Sequence, residues 1–414
     1  MLESDYWQRK LLMQKHGKIV VVSQHYPPDP STTATIMSAI ANHLAGQRPV
    51  LALSGSAGSE SDKPGNPNNP QIMELRNRMP GKAALIRRAT AEVLFAVRVF
   101  LTLLRRLQRG EMALTVTAPF MLPYAVTAAA SFKRARSALI MHDLFPDVLV
   151  MAGLLKPTSL ATRVIRAMNG VMFRRLDAII TIGRDMEELL LAYPGVTRDK
   201  IRFIPNWATL EPAVRPMAAD NPYRRNGARF VVGLSGNLGF THDPEIVFEA
   251  ARLLQDDPNI HFLLSGWGIG FQRLKAMQAD TGLANVSLIE RVPDGDLEVF
   301  LSAADVWIIP YRKNVAGVSV PSRFYNLLAV GRAVIIVSEA DAEAALTVSE
   351  HGLGWVVSPG DAGELARTIR LAAYSEDDPL RAERAATIAR RFNFGAAMAA
   401  YSEVAERLLR KGGP

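Results

Sequence analysis

Five short motifs combine residue types that could do chemistry; three follow apolar runs and two read as helix starts. Met141-His142-Asp143-Leu144-Phe145-Pro146-Asp147 puts an imidazole and two carboxylates after such a run. A carboxylate–histidine pair can orient a bound group, stabilise a developing positive charge or move a proton. Ser235-Gly236-Asn237-Leu238-Gly239 is glycine-rich, and helical sequence begins near Asp243. Glycines let backbone N–H groups approach an anion, and a helix start favours negative charge, so this turn reads as a cradle for a diphosphate. No Walker A lysine follows it, so a P-loop ATPase is not supported. Ser265-Gly266-Trp267-Gly268-Ile269-Gly270 has the wrong final spacing for a dinucleotide fingerprint, and reads as backbone lying against a base or ribose. Val320-Pro321-Ser322-Arg323 leads into a helix that ends at Gly331. Ser322 and Arg323 would sit in its first turn, where amides and a guanidinium can clamp phosphate. Asp294-Gly295-Asp296 has the D-x-D form that often holds a metal. Its context reads instead as a helix start, with Asp294 as N-cap and the other acids as first-turn charges. No metal and no cofactor are expected.

The elements that must position these turns follow from periodicity. Apolar runs at 18–23, 49–54, 113–117, 138–141, 178–182 and 201–204 alternate with helical patterns, as do runs at 230–235, 261–265, 286–289, 306–310, 333–337 and 355–357. Such alternation predicts parallel, doubly wound sheets. Ile36, Ile40 and Leu44 follow the helical spacing after Ser31 and Thr32, whose types suit an N-cap. Residues 55–70 are rich in Gly, Ser, Asn and Pro and read as a loop. A connector rich in Pro, Arg and Asn, running to Arg229, separates the two sets of strands. The predicted organisation is an N-terminal α/β domain over 1–212, a second over 213–391, and a C-terminal helix over 392–414 that could pack back on the first domain. Ligands of open parallel sheets bind beyond the carboxyl ends of the strands, where these motifs stand.

The composition excludes other classes. Of 414 residues, 49% are hydrophobic and 21% charged, which excludes disorder, collagen and coiled coil for the whole chain. There is no cysteine, so disulfides, thiolate catalysis, zinc fingers and iron–sulfur clusters are ruled out. Residues 1–207 hold 27 Lys and Arg against 15 Asp and Glu, a net of +12. Residues 208–414 hold 21 against 25, a net of −4. The positive excess of the first half points to an anionic partner. Its densest part, residues 76–109, carries nine basic residues and one acid, Glu92. There, Ile86, Val93, Val97, Phe100, Leu104 and Leu107 mark an apolar stripe, with Phe95, Leu101 and Leu103 beside the charges. Arginines interleaved with Leu and Phe fit an anionic membrane surface better than nucleic acid, for which no reading module is present. Residues 112–132 carry no charge, but Pro119 and Pro123 interrupt them, so strand, loop and helix are expected rather than a membrane span. The polar start has no apolar core of a secretory signal, which fits a cytoplasmic protein on the inner face of a membrane.

These turns, in this order, resemble the GT-B fold glycosyltransferases of family 4, specifically the bacterial capsule and exopolysaccharide branch. The likeness rests on Ser23-Gln24-His25-Tyr26-Pro27-Pro28-Asp29-Pro30, Asp143-Leu144-Phe145-Pro146-Asp147, Ile204-Pro205-Asn206-Trp207, Gly236-Asn237-Leu238-Gly239, Val320-Pro321-Ser322-Arg323 and Leu328-Ala329-Val330-Gly331-Arg332, and covers about residues 18–395. The resemblance implies two Rossmann-like domains facing across a cleft. It implies retaining transfer of a sugar from a nucleotide donor without a metal. On it, Gly236, Asn237, Gly239, Ser322 and Arg323 meet the donor diphosphate. Gly266, Gly268, Arg291, Val292 and Asn326 line the nucleoside pocket. Pro28, Ser31, Thr32 and Thr33 face the cleft from the acceptor side, and His142 and Asp143 lie near the transferred sugar. The chain departs from the family pattern in two places. Asn237 and His242 stand roughly where an Arg and a Lys are usual, with Arg323 and Lys313 as replacements. Val318 and Asn326 stand where two glutamates are usual.

The expected function is transfer of a sugar from a UDP- or GDP-sugar to a lipid-linked or saccharide acceptor in polysaccharide biosynthesis. Two other readings fit the architecture. A nucleotide-sugar 2-epimerase would need acid–base carboxylates deep in the cleft, for which Glu290 is the nearest candidate. A non-catalytic partner subunit would bind a nucleotide sugar or membrane lipid without turnover.

Overall fold

The structure is a computed structural model, and it describes residues 17–58, 69–77, 85–218, 220–224, 227–375 and 378–410. The first sheet is built from β1 (Ile19–Ser23), β2 (Val50–Ser54), β3 (Gln71–Glu74), β4 (Met112–Val116), β5 (Arg136–Met141), β6 (Ala178–Thr181) and β7 (Ile201–Phe203). Their order across the sheet is β3-β2-β1-β4-β5-β6-β7, and every pairing is parallel. The second sheet holds β8 (Phe230–Leu234), β9 (Ile260–Ser265), β10 (Val286–Ile289), β11 (Val306–Pro310), β12 (Ala333–Val337) and β13 (Gly354–Val357). Its order is β10-β9-β8-β11-β12-β13, again all parallel. Parallel strands need both faces covered, and the β-branched runs Ile19-Val20-Val21-Val22 and Val334-Ile335-Ile336-Val337 are buried throughout.

Both sheets reverse their winding at one place, between β1 and β4 in the first and between β8 and β11 in the second. The loops after those strands diverge, which leaves a crevice at the carboxyl ends. In the second sheet the close fit at this point is visible in the core. A Cβ on Gly233 of β8 would enter the Trp307 ring of β11, and the Trp307 indole donates to the Leu301 carbonyl at 2.9 Å.

The uncharged stretch 112–132 resolves into β4, a turn, and the helix Leu122–Lys133. Among the described residues no helix is long and apolar enough to cross a membrane. The C-terminal helix Phe394–Arg410 packs on the first sheet: Met398, Tyr401 and Leu408 share a core with Ile36, Ile40 and Trp207. The Phe394 ring meets Trp207 edge-on at 5.7 Å.

The structure adds one strand and revises one expectation. Strand β3 falls just beyond the stretch read as a loop, and its side chains are only half-buried at the sheet edge, so no apolar run marks it. In the basic helix Leu85–Arg106 the core-facing line is Phe95, Val99, Leu103 and, just past its end, Leu107; of the expected stripe, Leu107 is buried and Phe100 and Leu104 are half-buried against the same core, whereas Val93 and Val97 are exposed. Val93, Val97 and Leu101 have the same four-residue spacing, offset by two residues, and all are exposed. A helix with two apolar lines satisfies the periodicity with either one inward, and only packing against the helix Leu122–Lys133 selects between them. Part of the basic stretch, residues 78–84, and the side chain of Ile86 lie outside the described residues.

Candidate functional site

The two glycine-rich turns of the second domain are knitted together. Leu238 N donates to the Trp267 carbonyl at 2.9 Å, Trp267 N to the Gly236 carbonyl at 3.2 Å, and Gly270 N to the Leu238 carbonyl at 2.9 Å. Gly266 is needed because a Cβ there would strike the Gly236 carbonyl. Gly268 has a φ of 94°, and a Cβ there would lie 2.9 Å from Asn237 Oδ1. Gly239 faces open space. Arg291 lies over the half-exposed Trp267 ring, 5.1 Å from its centroid, as a cation–π pair. Val292 is half-buried against the second domain's core.

Gly236 has a φ of 115°, and a Cβ there would run into the Arg323 guanidinium. Arg323 opens the helix Arg323–Ala329, directly after Ser322. Its Nη2 donates to the Asn237 carbonyl at 3.3 Å, while Nη1 is buried with no hydrogen-bond partner. Burial pulls the Arg323 pKa down to about 10, so the group is still a cation at neutral pH. Beside it, His242 is tilted against Tyr311 at 5.0 Å and shares a hydrogen bond with Thr241 Oγ1 at 3.1 Å. Burial, then the charges of Arg323 and Arg312, hold its imidazole well below the usual range, and its Nε2 has no partner. A neutral imidazole and a cation with an unused N–H therefore converge beneath the glycine loop. Buried polar groups are ordinarily paired, so this arrangement suits an anion. Lys313 is exposed and lies beside Gly360.

From the first domain, His142 and Asp143 leave β5 with both backbone N–H groups donating to Thr117 Oγ1, at 3.2 and 3.3 Å. Burial lowers the His142 pKa to about 4, and its Nε2 is buried and unpartnered. Burial raises the Asp143 carboxyl above its ordinary value, opposed by a hydrogen bond from Ser319. The two domains meet as backbone as well: Asp143 bridges Ser319, and Leu144 N donates to the Val318 carbonyl at 3.0 Å. An apolar recess beside Asp143 is walled by Phe120, Tyr124, Leu144 and Phe145.

Other residues singled out in the sequence make different contacts. Asn326 spends its amide on the interdomain linker: Oδ1 accepts from Thr209 N at 2.7 Å and Leu210 N at 3.2 Å, and Nδ2 donates to Thr209 Oγ1. Val318 is buried and apolar. Ser31 is the N-cap of the helix Thr32–Ala45, its hydroxyl accepting from Ala34 N at 3.2 Å. Pro28 and Thr32 are exposed, Thr33 is half-buried, and neighbouring Asp29 is held by His25 at 2.8 Å. In the D-x-D segment Asp296 accepts from the Tyr223 hydroxyl at 2.8 Å; the Asp294 side chain lies outside the described residues. Sequence reasoning missed Thr117, Ser319 and the pair Arg184-Asp185. The last two stand just after an apolar run, the one signal that could have found them.

Residues 31–207 match the model described as glycosyl transferase 4-like domain, and residues 218–390 match glycosyl transferases group 1. The chain is 29% identical over 292 residues to a probable glycosyltransferase, WbjE, of Pseudomonas aeruginosa, covering 70% of this chain and 72% of that protein. Sucrose-phosphate synthase of Thermosynechococcus elongatus has the same fold at a TM-score of 0.71 and 16% identity, over 95% of this chain and 100% of that one. Anabaena HepE in complex with UDP and glucose aligns at a TM-score of 0.65 and 16% identity, over 95% and 99%. Two matched halves in the family's order, each on its own doubly wound sheet, establish that the chain belongs to the GT-B fold glycosyltransferases of family 4.

Proposed function

We propose that this glycosyltransferase moves a hexosyl group, with retention and without a metal, from a UDP- or GDP-sugar to a lipid-linked or saccharide acceptor in polysaccharide assembly. The observation that carries the reading is the half-buried Arg323 guanidinium under Gly236, with Nη1 buried and unpaired and, among the described residues, no carboxylate bonded to it. A departing nucleoside diphosphate gains charge as the glycosidic bond breaks, and fixed donors aimed at it lower that barrier. Arg323 and the amides around Gly236 would fill this role without a metal. Across the cleft, Asp143 and carbonyls near it would favour an oxocarbenium-like sugar. His142, neutral by desolvation, is suited to hydrogen bonding rather than to carrying charge. The UDP and glucose in the Anabaena neighbour and the polysaccharide context of a colanic acid biosynthesis relative, WcaI of Escherichia coli, support the donor and pathway class.

The epimerase alternative loses its candidate acid, because Glu290 is exposed and paired with Lys275 at 3.1 Å. Docking on the inner face of the membrane is supported by the helix Leu85–Arg106. Its outer surface shows Val93, Leu94, Val97 and Leu101 beside Arg98, Arg105 and Arg106, a pairing of apolar and basic groups that suits an anionic lipid surface.

A thermal-shift panel of UDP, GDP and their sugars, followed by assay of nucleoside diphosphate release in EDTA, tests the reading. A nucleotide that binds the folded state raises its melting temperature. Binding with turnover is expected. Binding without turnover on any acceptor would favour a non-catalytic subunit, and no binding of either nucleotide would overturn the donor assignment.

A further inference from the structure

A network of charged contacts joins the two domains through Arg184, Asp185 and Glu343. Arg184 and Asp185 follow β6 of the first domain. Arg184 donates through its backbone N–H to Glu343 Oε2 at 2.7 Å and grips the same carboxylate through Nε and Nη2 at 3.0–3.2 Å. Its Nη1 reaches Glu350 at 3.0 Å. Glu343 and Glu350 belong to the helix Glu343–His351 of the second domain. Asp185 Oδ2 accepts from Glu343 N at 3.0 Å and from Gly317 N at 2.8 Å.

Gly317 is the point at which this clasp reaches the site. It has a φ of 70°, and a Cβ there would sit 2.7 Å from the Asp185 carbonyl. Two residues on, Ser319 is paired with Asp143 as a backbone bridge, and Val320 is buried among first-domain residues Met141, Leu144 and Met186. Gly183 makes room for all of this. A Cβ there would strike Asp185 Oδ1 and come within 2.7 Å of Val320 Cγ2 and 3.2 Å of Glu343 Cβ.

We infer that Asp185 is a positioning residue that transmits closure of the domains to the 317–320 loop, so that Ser319 is set against Asp143 only when the Arg184–Glu343 clasp is made. The inference rests on the transfer reading above. From the opposite domain the 317–320 loop is held by Asp185 at Gly317 N, by the Leu144 N bond to the Val318 carbonyl and by the packing of Val320, so loss of the carboxylate frees its Gly317 end, and a displacement of about 1 Å in a reacting site can cost a hundredfold in rate. Polar interfaces between domains of one chain open more readily than large apolar ones.

The chain has no cysteine, so Phe132→Cys and Leu371→Cys, both exposed and one on each domain, give a clean label pair for single-molecule energy transfer. With UDP or GDP present, Asp185→Ala should move the distance distribution to longer values. In the transfer assay it should cut kcat about tenfold or more while the donor KM stays within about threefold. Gly183→Ala, which keeps every clasp residue and adds only a wedge, should do the same in weaker form, and serves if Asp185→Ala fails to fold. A residue that merely stabilises its own domain would lower the melting temperature without moving the distance or splitting kcat from KM. An unchanged distance distribution, or an unchanged kcat, overturns the proposal. If the parent protein turns over no donor at all, the transfer reading falls, and the distance arm alone decides the clasp.

Discussion

The Arg323 guanidinium occupies the space in which a side chain on Gly236 would stand, and it donates to the carbonyl of the next residue, Asn237, at 3.3 Å. A glycine with positive φ and an arginine 86 positions beyond its neighbour in sequence thus form one unit. A half-buried cation with a buried, unpaired N–H and, among the described residues, no carboxylate bonded to it is costly to the fold by itself, and that cost is offset when an anion arrives.

Arg323→Met should therefore separate binding from stability. Nucleoside diphosphate affinity should fall by roughly 1.5–3 kcal/mol in calorimetry, the worth of a hydrogen bond to a charged group. The melting temperature without ligand should hold or rise, since an unpaired charge has been removed. Undiminished affinity would take Arg323 out of the donor site.

Gly236→Ala should damage the same site from the other side. It forces an L side chain to a φ of 115° and displaces the guanidinium, at about 1–3 kcal/mol of backbone strain alone. Donor affinity should drop with it. A variant as stable and as tight as the parent would show that the turn relaxes and that Arg323 has other room.

Asp143→Asn keeps the shape and the backbone bridge to Ser319 but removes a negative charge. Turnover should fall far more than donor affinity, because charge on the sugar is present mainly in the transition state. Steady-state kinetics give both quantities, and normal turnover would assign the cluster to structure.

Acid should destabilise the protein through His142. Its folded pKa of about 4 lies below the ordinary 6.5, so between those values the unfolded chain binds the extra proton. The contribution is complete above pH 6.5 and is lost as pH falls toward 4. His242 acts with the same sign. Denaturant midpoints measured from pH 7.5 to 4.5 should decline, and His142→Gln should flatten that decline. An identical slope in the variant would show that the ring titrates as in water.

Liposome sedimentation tests the docking face. Arg105 and Arg106 to Gln, or Leu94, Val97 and Leu101 to Ser, should each release the protein from anionic vesicles while its melting temperature is kept, because all five side chains are exposed. Each basic residue near such a surface adds about 1 kcal/mol, so binding should also weaken with salt. Equal recovery on neutral and anionic vesicles would remove the membrane from the account.

By itself the sequence determined the two parallel sheets and the turns that hold the site. Strand runs such as Ile19–Ser23 and Val306–Pro310 lie where periodicity places them, within a residue or two, because burial on both faces leaves a continuous apolar mark. The helix that begins at Arg323 and stops short of Gly331 was equally local, read from a Pro-Ser start and a glycine stop. Only the tertiary structure decided which line of the helix Leu85–Arg106 faces the core, since two equal lines were available. It also turned the Asn326 amide to the linker, where Thr209 and Leu210 offer backbone N–H groups in need of an acceptor. The meeting of Asp143 with Ser319 and of Arg184 with Glu343 was silent in the sequence. The latter partners stand 159 residues apart on different domains, and no local periodicity records how one domain is set against another.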